Sequence, residues 1–219
     1  MITILGAKGS MGTRYQAILN WLGIAHNAYD LDSNKSIVED AIYKSTGLII
    51  ATPTHTHTDL LQRYIGDCKK ILCEKPVSKN TEEVEEVYRF ASKEGTSLCV
   101  TMQYAEIAKN EDRGKESFYN YFRSGKDGLV WDCFQTIALA KGPVWLSNES
   151  PEWKCQINGE KLSLSSMDGA YVSFVKRWLN NNLEQNSNEM VEAHLRASEI
   201  AKDYYDGHSS NTNWYPGKV

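Results

Sequence analysis

Two rhythms alternate through the first hundred residues, and that alternation limits the folds open to the chain. Short β-rich runs stand at ITIL (2–5), IAHNAYD (24–30), GLIIAT (47–52), KILCE (70–74) and SLCVTM (97–102). Segments of helical length and period lie between them. Tyr15, Ile18, Leu19 and Leu22 share one face of 11–22, and Ile37, Ala41 and Ile42 share one in the next segment. Leu60, Leu61, Tyr64 and Ile65 do so in the third, and Val84, Val87, Tyr88 and Ala91 in 81–93. Asn80, with Glu83 three residues on, reads as the cap and first-turn carboxylate of that last helix. Strands that are apolar throughout are buried on both faces, and strand–helix alternation joins them in parallel. The expected fold class is α/β: a doubly wound parallel sheet with right-handed crossovers, followed by a second, smaller α+β domain. In such sheets ligands bind beyond the C-terminal ends of the strands.

The rhythm changes after about Gln103, which sets the expected domains at 1–103 and 104–219. GKESFYNYFRSG (114–125) reads as a short amphipathic helix through Phe118, Tyr121 and Phe122. LVWDCFQTIALAKG (129–142) reads as another, with Val130, Phe134, Ile137 and Ala138 in register. PVWLS (143–147), EWKCQI (152–157) and EKLSLS (160–165) read as strands, the last two joined by an Asn158-Gly159 hairpin turn. Two longer helices are expected, over 168–181 with Tyr171, Phe174, Val175 and Trp178 on one face, and over 188–205. The polar tail, 206–219, reads as loosely ordered.

Charge and composition exclude several classes of function. The 219-residue chain carries a net charge of -4 with a pI near 5.8, so there is no basic footprint for nucleic acid. No apolar run approaches the roughly 18 residues of a membrane span. MITILGAKGSMG passes straight from four apolar residues into glycines, unlike a signal peptide. Cysteines at 68, 73, 99, 133 and 155 form no CxxC pair. Neither a disulfide framework nor a zinc site is expected, and a reducing cytoplasm is the simpler setting.

Four stretches carry candidate chemistry. Gly6-Ala7-Lys8-Gly9-Ser10-Met11-Gly12 follows the first strand and opens the first helix. Glycines there let a pyrophosphate approach the backbone, and the helix N-terminus supplies N–H donors. The spacing is GxxGxxG rather than GxGxxG, and such a turn can also be merely structural. Asp30 ends the second strand 24 residues after Gly6, near the ~20 of a carboxylate that binds an adenosine ribose. Asp32 competes for that role, and Asp30 could instead start a turn. A carboxylate there repels a 2′-phosphate, so NAD is expected over NADP. Thr52-Pro53 ends the third strand, with His55 and His57 following. Metal is not expected at this pair, since no cysteine completes a ligand set; a loop beside a cofactor is. Glu74-Lys75-Pro76 ends the fourth strand. Lys75 either exchanges a proton with a substrate hydroxyl or is ion-paired with Glu74.

In order, ITILGAKGSMG, AYDLD, GLIIATPTHTHTDLL and ILCEKPVSKNTEEVEEVYRFASKEGTSLCV resemble the glucose–fructose oxidoreductase/inositol dehydrogenase (Gfo/Idh/MocA) family over residues 2–100. The EKP tripeptide is the most specific of these matches. The resemblance implies a Rossmann domain and an NAD(P)-dependent oxidoreductase acting on a sugar, cyclitol or related secondary alcohol or ketone. It makes Lys75 the catalytic lysine and Pro76 the residue shaping its loop. It puts Gly6, Gly9 and Gly12, within the loop of Lys8, Ser10 and Met11, on the pyrophosphate and Asp30 on the ribose. Thr52, Pro53 and His57, with Glu74 beside them, would line the nicotinamide side.

The second half departs from the family, whose members follow with a long domain on a large open sheet; 116 residues remain here. The helix over 129–142 resembles the family's active-site helix, which carries an aspartate and a histidine. This one has Asp132 and Gln135 and no histidine. Counting back from Gly142-Pro143 puts Asp132 close to the histidine position. Asp132 then replaces it as acid/base, with Gln135 touching substrate, or the proton relay is broken. Three functions follow: an NAD-dependent oxidoreductase, a cofactor-binding regulator or subunit, or a small reductase of a cyclic imine or amino-acid precursor. The expected partners are a small-molecule substrate and, if Trp145 and Trp153 form a face rather than core, a second copy in a homodimer.

Overall fold

The computed structural model describes residues 1–108, 116–120, 128–148, 152–183, 185–205 and 212–215. It divides into two compact units, residues 1–101 with 178–185, and residues 102–177 with 186–219.

In the first unit β1 (Ile2–Leu5), β2 (His26–Tyr29), β3 (Gly47–Ile50), β4 (Lys70–Cys73) and β5 (Ser97–Val100) form a parallel sheet. Their order is β2-β1-β3-β4-β5. Every residue of β1 and β3 is buried, as the unbroken apolar runs require of strands covered on both faces. Edge strand β2 is half-buried throughout and has the mixed composition HNAY. The chain steps one way from β1 to β2 and the other way from β2 to β3. That reversal opens a crevice beyond the C-terminal ends of β1 and β3.

Helices α1 (Ser10–Trp21), α2 (Lys35–Tyr43), α3 (His57–Tyr64) and α4 (Thr81–Glu94) make the connections. Tyr15, Ile18 and Leu19 of α1 and all four expected residues of α4 are buried. In α2 the buried stripe is Val38, Ala41 and Ile42, and Ile37 is 56% exposed, contrary to expectation. One position separates Ile37 from Val38, and with the helix starting at Lys35 the sheet is met by Val38. Asn80 caps α4, accepting the Glu82 N–H at 3.0 Å, and Gly95 ends it at φ 68°. Glu83 accepts the hydroxyls of Ser78 at 2.7 Å and Thr58 at 3.0 Å, so it joins α4 to α3 rather than closing a capping box.

Residues 178–185 complete this unit. Gly47 leaves room for Trp178: a Cβ there would lie 3.0 Å from the indole Cη2. Lys70 Nζ donates to the carbonyls of Trp178 at 3.3 Å and Leu179 at 2.7 Å and to Asn181 Oδ1 at 3.1 Å. Gln185 accepts the Val100 N–H and donates to the Val100 carbonyl, both at 2.6 Å. Its side-chain amide thus takes the place of a neighbouring strand on the open edge of β5.

The second unit carries β6 (Ser117–Asn120), β7 (Val144–Ser147), β8 (Lys154–Ile157), β9 (Glu160–Leu162) and β10 (Thr212–Tyr215) in the order β10-β7-β6-β8-β9. Only β6 and β7 run parallel. Its helices are α5 (Leu129–Asp132), α6 (Phe134–Leu139), α7 (Leu164–Leu179) as far as Arg177, and α8 (Ser187–Tyr205). The Asn158-Gly159 turn forms with φ 50° and 83°, the left-handed pair a two-residue hairpin needs.

Four expectations change here. The strand read over 160–165 ends at Leu162, and the helix read from 168 begins at Leu164. The helix read over 114–125 is, at Phe118, strand β6; pairing with β7 and β8 overrides the local spacing, and Tyr121 and Phe122 lie outside the described residues. The single helix over 129–142 breaks at Cys133 (φ -88°, ψ 12°) into α5 and α6, although Val130, Phe134 and Ile137 are buried as expected. Within the tail, residues 212–215 are strand β10, ordered by antiparallel pairing with β7 that no local pattern reveals.

Candidate functional site

A cavity of about 400 Å³ lies at the C-terminal ends of β1, β2 and β3. After β1 it is lined by Gly6, Lys8 and Gly9, after β2 by Asp30, Leu31 and Asp32, and after β3 by Ala51, Thr52 and Pro53. Ser10, Met11 and Gly12 stand behind it as the first turn of α1, whose N-cap is Gly9 with no side-chain cap.

The glycines differ in what they do. A Cβ at Gly12 would lie 2.0 Å from the Gly6 carbonyl oxygen, so Gly12 lets the helix close on the loop. Gly6 has φ +91° and faces the Ala51 carbonyl, which a Cβ would approach to 2.4 Å. Gly9 is less crowded, with its nearest contact at 3.3 Å, and it lines the cavity itself. Two glycines therefore build the cradle and one keeps its wall bare, as a pyrophosphate approaching the backbone needs.

Asp30 is held by the loop it faces: the Lys8 N–H donates to Oδ2 at 2.9 Å. The Lys8 ammonium reaches the other carboxylate, 3.0 Å from Asp32 Oδ2. That pairing raises the lysine pKa and lowers that of Asp32. Asp32 and Leu31 line the cavity but stand outside the glycine loop; Asp32 was visible only as a competitor of Asp30.

The EKP turn is clamped from two sides. Glu74 is buried; Oε1 accepts the Tyr15 hydroxyl at 2.5 Å, and Oε2 accepts the Lys75 N–H at 3.3 Å. Tyr15 Oη also lies 2.8 Å from Thr101 Oγ1. On the other side the buried His57 ring bridges two carbonyl oxygens, Pro76 at Nδ1 and Thr52 at Nε2, each at 2.8 Å. His57 and Glu74 thus hold the strand ends, while Thr52 and Pro53 reach the cavity. Lys75 is half-buried and Pro76 is buried behind a cis peptide bond. Nothing in sequence spacing pointed to Tyr15 or Thr101, which are far apart in the chain.

Asp132 and Gln135 belong to the second unit. Asp132 is half-buried at the end of α5. Gln135 is 2% exposed; Nε2 donates to Gln103 Oε1 at 2.7 Å and Oε1 accepts the Tyr104 N–H at 3.0 Å. Its amide therefore fixes the turn at Gln103–Glu106. Burial raises the phenols of Tyr104 and Tyr119, the latter helped by the Asp132 charge, and pushes the Cys155 thiol up to about 12. Trp153 meets Tyr104 edge-on at 6.4 Å, and Trp145 is half-buried on β7. Sequence reading missed His194 on α8, which packs on Phe134 with ring centroids 4.4 Å apart. Among the described residues no group of three or more His, Cys, Asp or Glu side chains could hold a metal ion, and no helix is long and apolar enough to cross a membrane.

A doubly wound sheet with a bare glycine wall at its switch point and a carboxylate after β2 is the arrangement of a Rossmann-like fold. Residues 4–102 match the family model described as "Oxidoreductase family, NAD-binding Rossmann fold". That model is of the Gfo/Idh/MocA oxidoreductase family, and the match covers 99 of the 219 residues. The inositol 2-dehydrogenase of Rhizobium meliloti (strain 1021) is 38% identical over 53 residues, a stretch spanning 24% of this chain and 16% of that protein. Among solved structures, the WlbA (WbpB) dehydrogenase of Thermus thermophilus in complex with NAD and UDP-GlcNAcA superposes with a TM-score of 0.69 at 13% identity, covering 91% of this chain and 94% of that one. A putative myo-inositol dehydrogenase from Sinorhizobium meliloti 1021 gives 0.66 at 12% identity, covering 99% of each chain. The UDP-N-acetylglucosamine 3-dehydrogenase GnnA of Acidithiobacillus ferrooxidans gives 0.68 at 13%, covering 90% of this chain and 95% of that one. At these identities the superpositions speak for the fold.

Proposed function

We propose that the protein is an NAD-dependent oxidoreductase acting on a secondary alcohol or ketone of a sugar, nucleotide sugar or cyclitol. The observation that carries this reading is the cavity at the switch point, where Gly9 and Asp30 line one space. Its parts suit a dinucleotide: a wall without side chains for pyrophosphate, and a carboxylate already oriented by the Lys8 N–H for a ribose hydroxyl. Two carboxylates beside that place, Asp30 and Asp32, disfavour a 2′-phosphate, hence NAD over NADP. The nicotinamide, when bound, supplies the hydride chemistry. The chain's own contribution is to hold Lys75 at the end of β4, where it gives or takes the proton of the substrate hydroxyl. Pro76, Glu74 and His57 fix the turn that carries it, and Asp132 serves as the second acid/base group. UDP-GlcNAcA in the WlbA structure and the names of the inositol dehydrogenases suggest the substrate class. A cytoplasmic homodimer completes the reading.

Calorimetric titration with NAD, NADH, NADP and NADPH tests the cofactor, and a screen of sugars, nucleotide sugars and cyclitols tests turnover. Lys75→Ala should abolish turnover and keep NADH affinity. Sedimentation tests the dimer. A second reading, a cofactor-binding regulator or subunit, is favoured by one observation: the segment that resembles the family's active-site helix contains Asp132 and Gln135 but no histidine, and Gln135 is engaged with Gln103 and Tyr104. NADH binding with no turnover on the screened substrates would favour it.

A further inference from the structure

We infer that the first unit carries a second small-ligand site, at the C-terminal ends of α2 and α3, which takes an aliphatic cation: an alkylammonium or alkylguanidinium group on a short apolar stem. A cavity of about 400 Å³ opens there and shares no residue with the one at the glycine loop. Glu39, Asp40, Ile42 and Tyr43 of α2 line one side of it. Arg63 and Tyr64 of α3, with Asp67 just beyond, line the other. Small-ligand cavities begin at roughly 300 Å³.

Charge decides the class of ligand. Arg63 is ion-paired with Glu39, and Lys44 lies 2.7 Å from Asp40. Asp67 has no ion pair among the described residues, so one carboxylate is left over at the cavity. The C-terminal ends of two helices add partial negative charge. The independent observation is Tyr64. It is 5% exposed, yet its hydroxyl has no hydrogen-bond partner among the described residues, unlike that of the buried Tyr15. Burial raises the Tyr64 pKa, and the charges of Glu39 and Asp67 raise it further against the opposing effect of Arg63. The phenol end therefore stands among the carboxylates of the cavity wall. A buried hydroxyl is costly to leave unpaired. An ammonium or guanidinium group can donate to that oxygen and to Asp67 together. The stem has the buried Ile42 to lie on, and Tyr43, 77% exposed, adds an aromatic ring for the charge. The Arg63 guanidinium already lies over the Tyr64 ring, 5.5 Å from its centroid, which leaves the hydroxyl end to the ligand. A metal ion does not suit the place, since among the described residues no three such side chains converge. An anionic or neutral ligand would leave Asp67 without a counter-charge.

The test is calorimetric titration of the full chain with agmatine, which carries both cationic groups on one stem, and with 1,4-butanediol as its neutral counterpart. Agmatine should bind saturably and the diol should not. Asp67→Asn should weaken agmatine about tenfold, the worth of one charge-assisted contact. Tyr64→Phe keeps the ring and should weaken it severalfold. Raised salt should weaken it in the unaltered chain. Asp32→Asn removes a carboxylate from the other acidic cavity and should leave agmatine affinity unchanged. Absence of saturable binding would overturn the inference, as would an unchanged affinity in Asp67→Asn. That variant alters an exposed side chain, so it carries the test even if Tyr64→Phe fails to fold. An unchanged affinity in folded Tyr64→Phe would mean that charge alone attracts the cation, and would overturn the site as drawn. Loss of binding in Asp32→Asn would put the cation at the glycine loop and overturn it too. None of these outcomes bears on the dinucleotide reading, which the NADH titration tests separately.

Discussion

The two units order their functional groups by different means. In the first, the groups stand where backbone puts them: at strand ends, in a loop whose glycines are set by contacts to Gly6 and Ala51, and in a turn clamped by Glu74 and His57. In the second, short strands and broken helices are held by the buried Gln135 and His194 and by the half-buried Tyr104–Trp153 pair. A strand end is rigid because its neighbours share the sheet. A side-chain scaffold is only as firm as each contact within it. The first unit should therefore fail by backbone clash, and the second by loss of individual polar or aromatic contacts and by pH.

The largest effect expected is at Gly12. Gly12→Ala places a Cβ 2.0 Å from the Gly6 oxygen, with backbone on both sides of the contact. It should lower the stability of the first unit by at least about 3 kcal/mol. Gly9→Ala, with its nearest contact at 3.3 Å, should leave the melting temperature within a few degrees yet weaken NADH binding. Urea unfolding and titration of the two variants separate cradle from wall. Equal stability loss in both would mean that the glycine loop is structural throughout.

His194 gives the second unit its own sensitivity. The ring is 1% exposed, and burial holds its pKa at about 4, against an ordinary value of 6.5. The folded unit keeps the ring neutral while the unfolded chain takes a proton below about pH 6.5. Its contribution is thus whole above that pH and declines as pH falls toward 4, by about 3 kcal/mol in all. Urea unfolding at pH 7.5, 6 and 5 should show this slope, and His194→Gln should flatten it. Hydrogen exchange should register the loss first in α6 and α8. Simultaneous loosening of β1 and β3 would show that the units melt as one and would break the comparison.

The same contrast explains what could be read in the sequence. Residues Ile2–Leu5 and Gly47–Ile50 announce buried parallel strands because both faces must be apolar, and Gly6 and Gly12 announce a close approach because other residues would clash. Strand β6 was hidden, since Phe118 looks helical until β7 and β8 pair with it on both sides. Residues 212–215 were hidden for the same reason. Within the site, Asp30, Thr52 and Pro53 could be placed from their positions at strand ends. Tyr15 and Thr101 could not, because they meet at Glu74 from 59 residues before it and by way of a hydroxyl pair 86 residues apart.

Tyr15 offers a way to sharpen the comparison inside the first unit. Tyr15→Phe keeps the buried ring and removes the hydroxyl from the Glu74 carboxylate. A buried carboxylate losing a donor should cost about 2 kcal/mol. The effect on function should be separable from this, because Glu74 also accepts the Lys75 N–H and so sets the turn that carries the lysine. Turnover in the variant should fall while NADH affinity stays, whereas a purely structural hydroxyl would lower stability and leave the turnover of the folded fraction unchanged.

The smallest effect lies at the open edge of the sheet. Gln185 matches the backbone of Val100 donor for acceptor, with both contacts at 2.6 Å. Gln185→Ala removes both and uncovers the Val100 groups, which are buried beneath the amide; with water taking its place, the loss should be about 1 kcal/mol. The direction of a second change decides what the clip is for. An edge strand left uncovered is a template for another chain. If residues 178–185 only tie down the chain, the variant should lose stability and stay in its original association state. If the amide also guards the edge, sedimentation should show new concentration-dependent species in the variant. Gln185→Glu should then suppress them by charge without restoring the donor, and stability should remain at the level of the alanine variant.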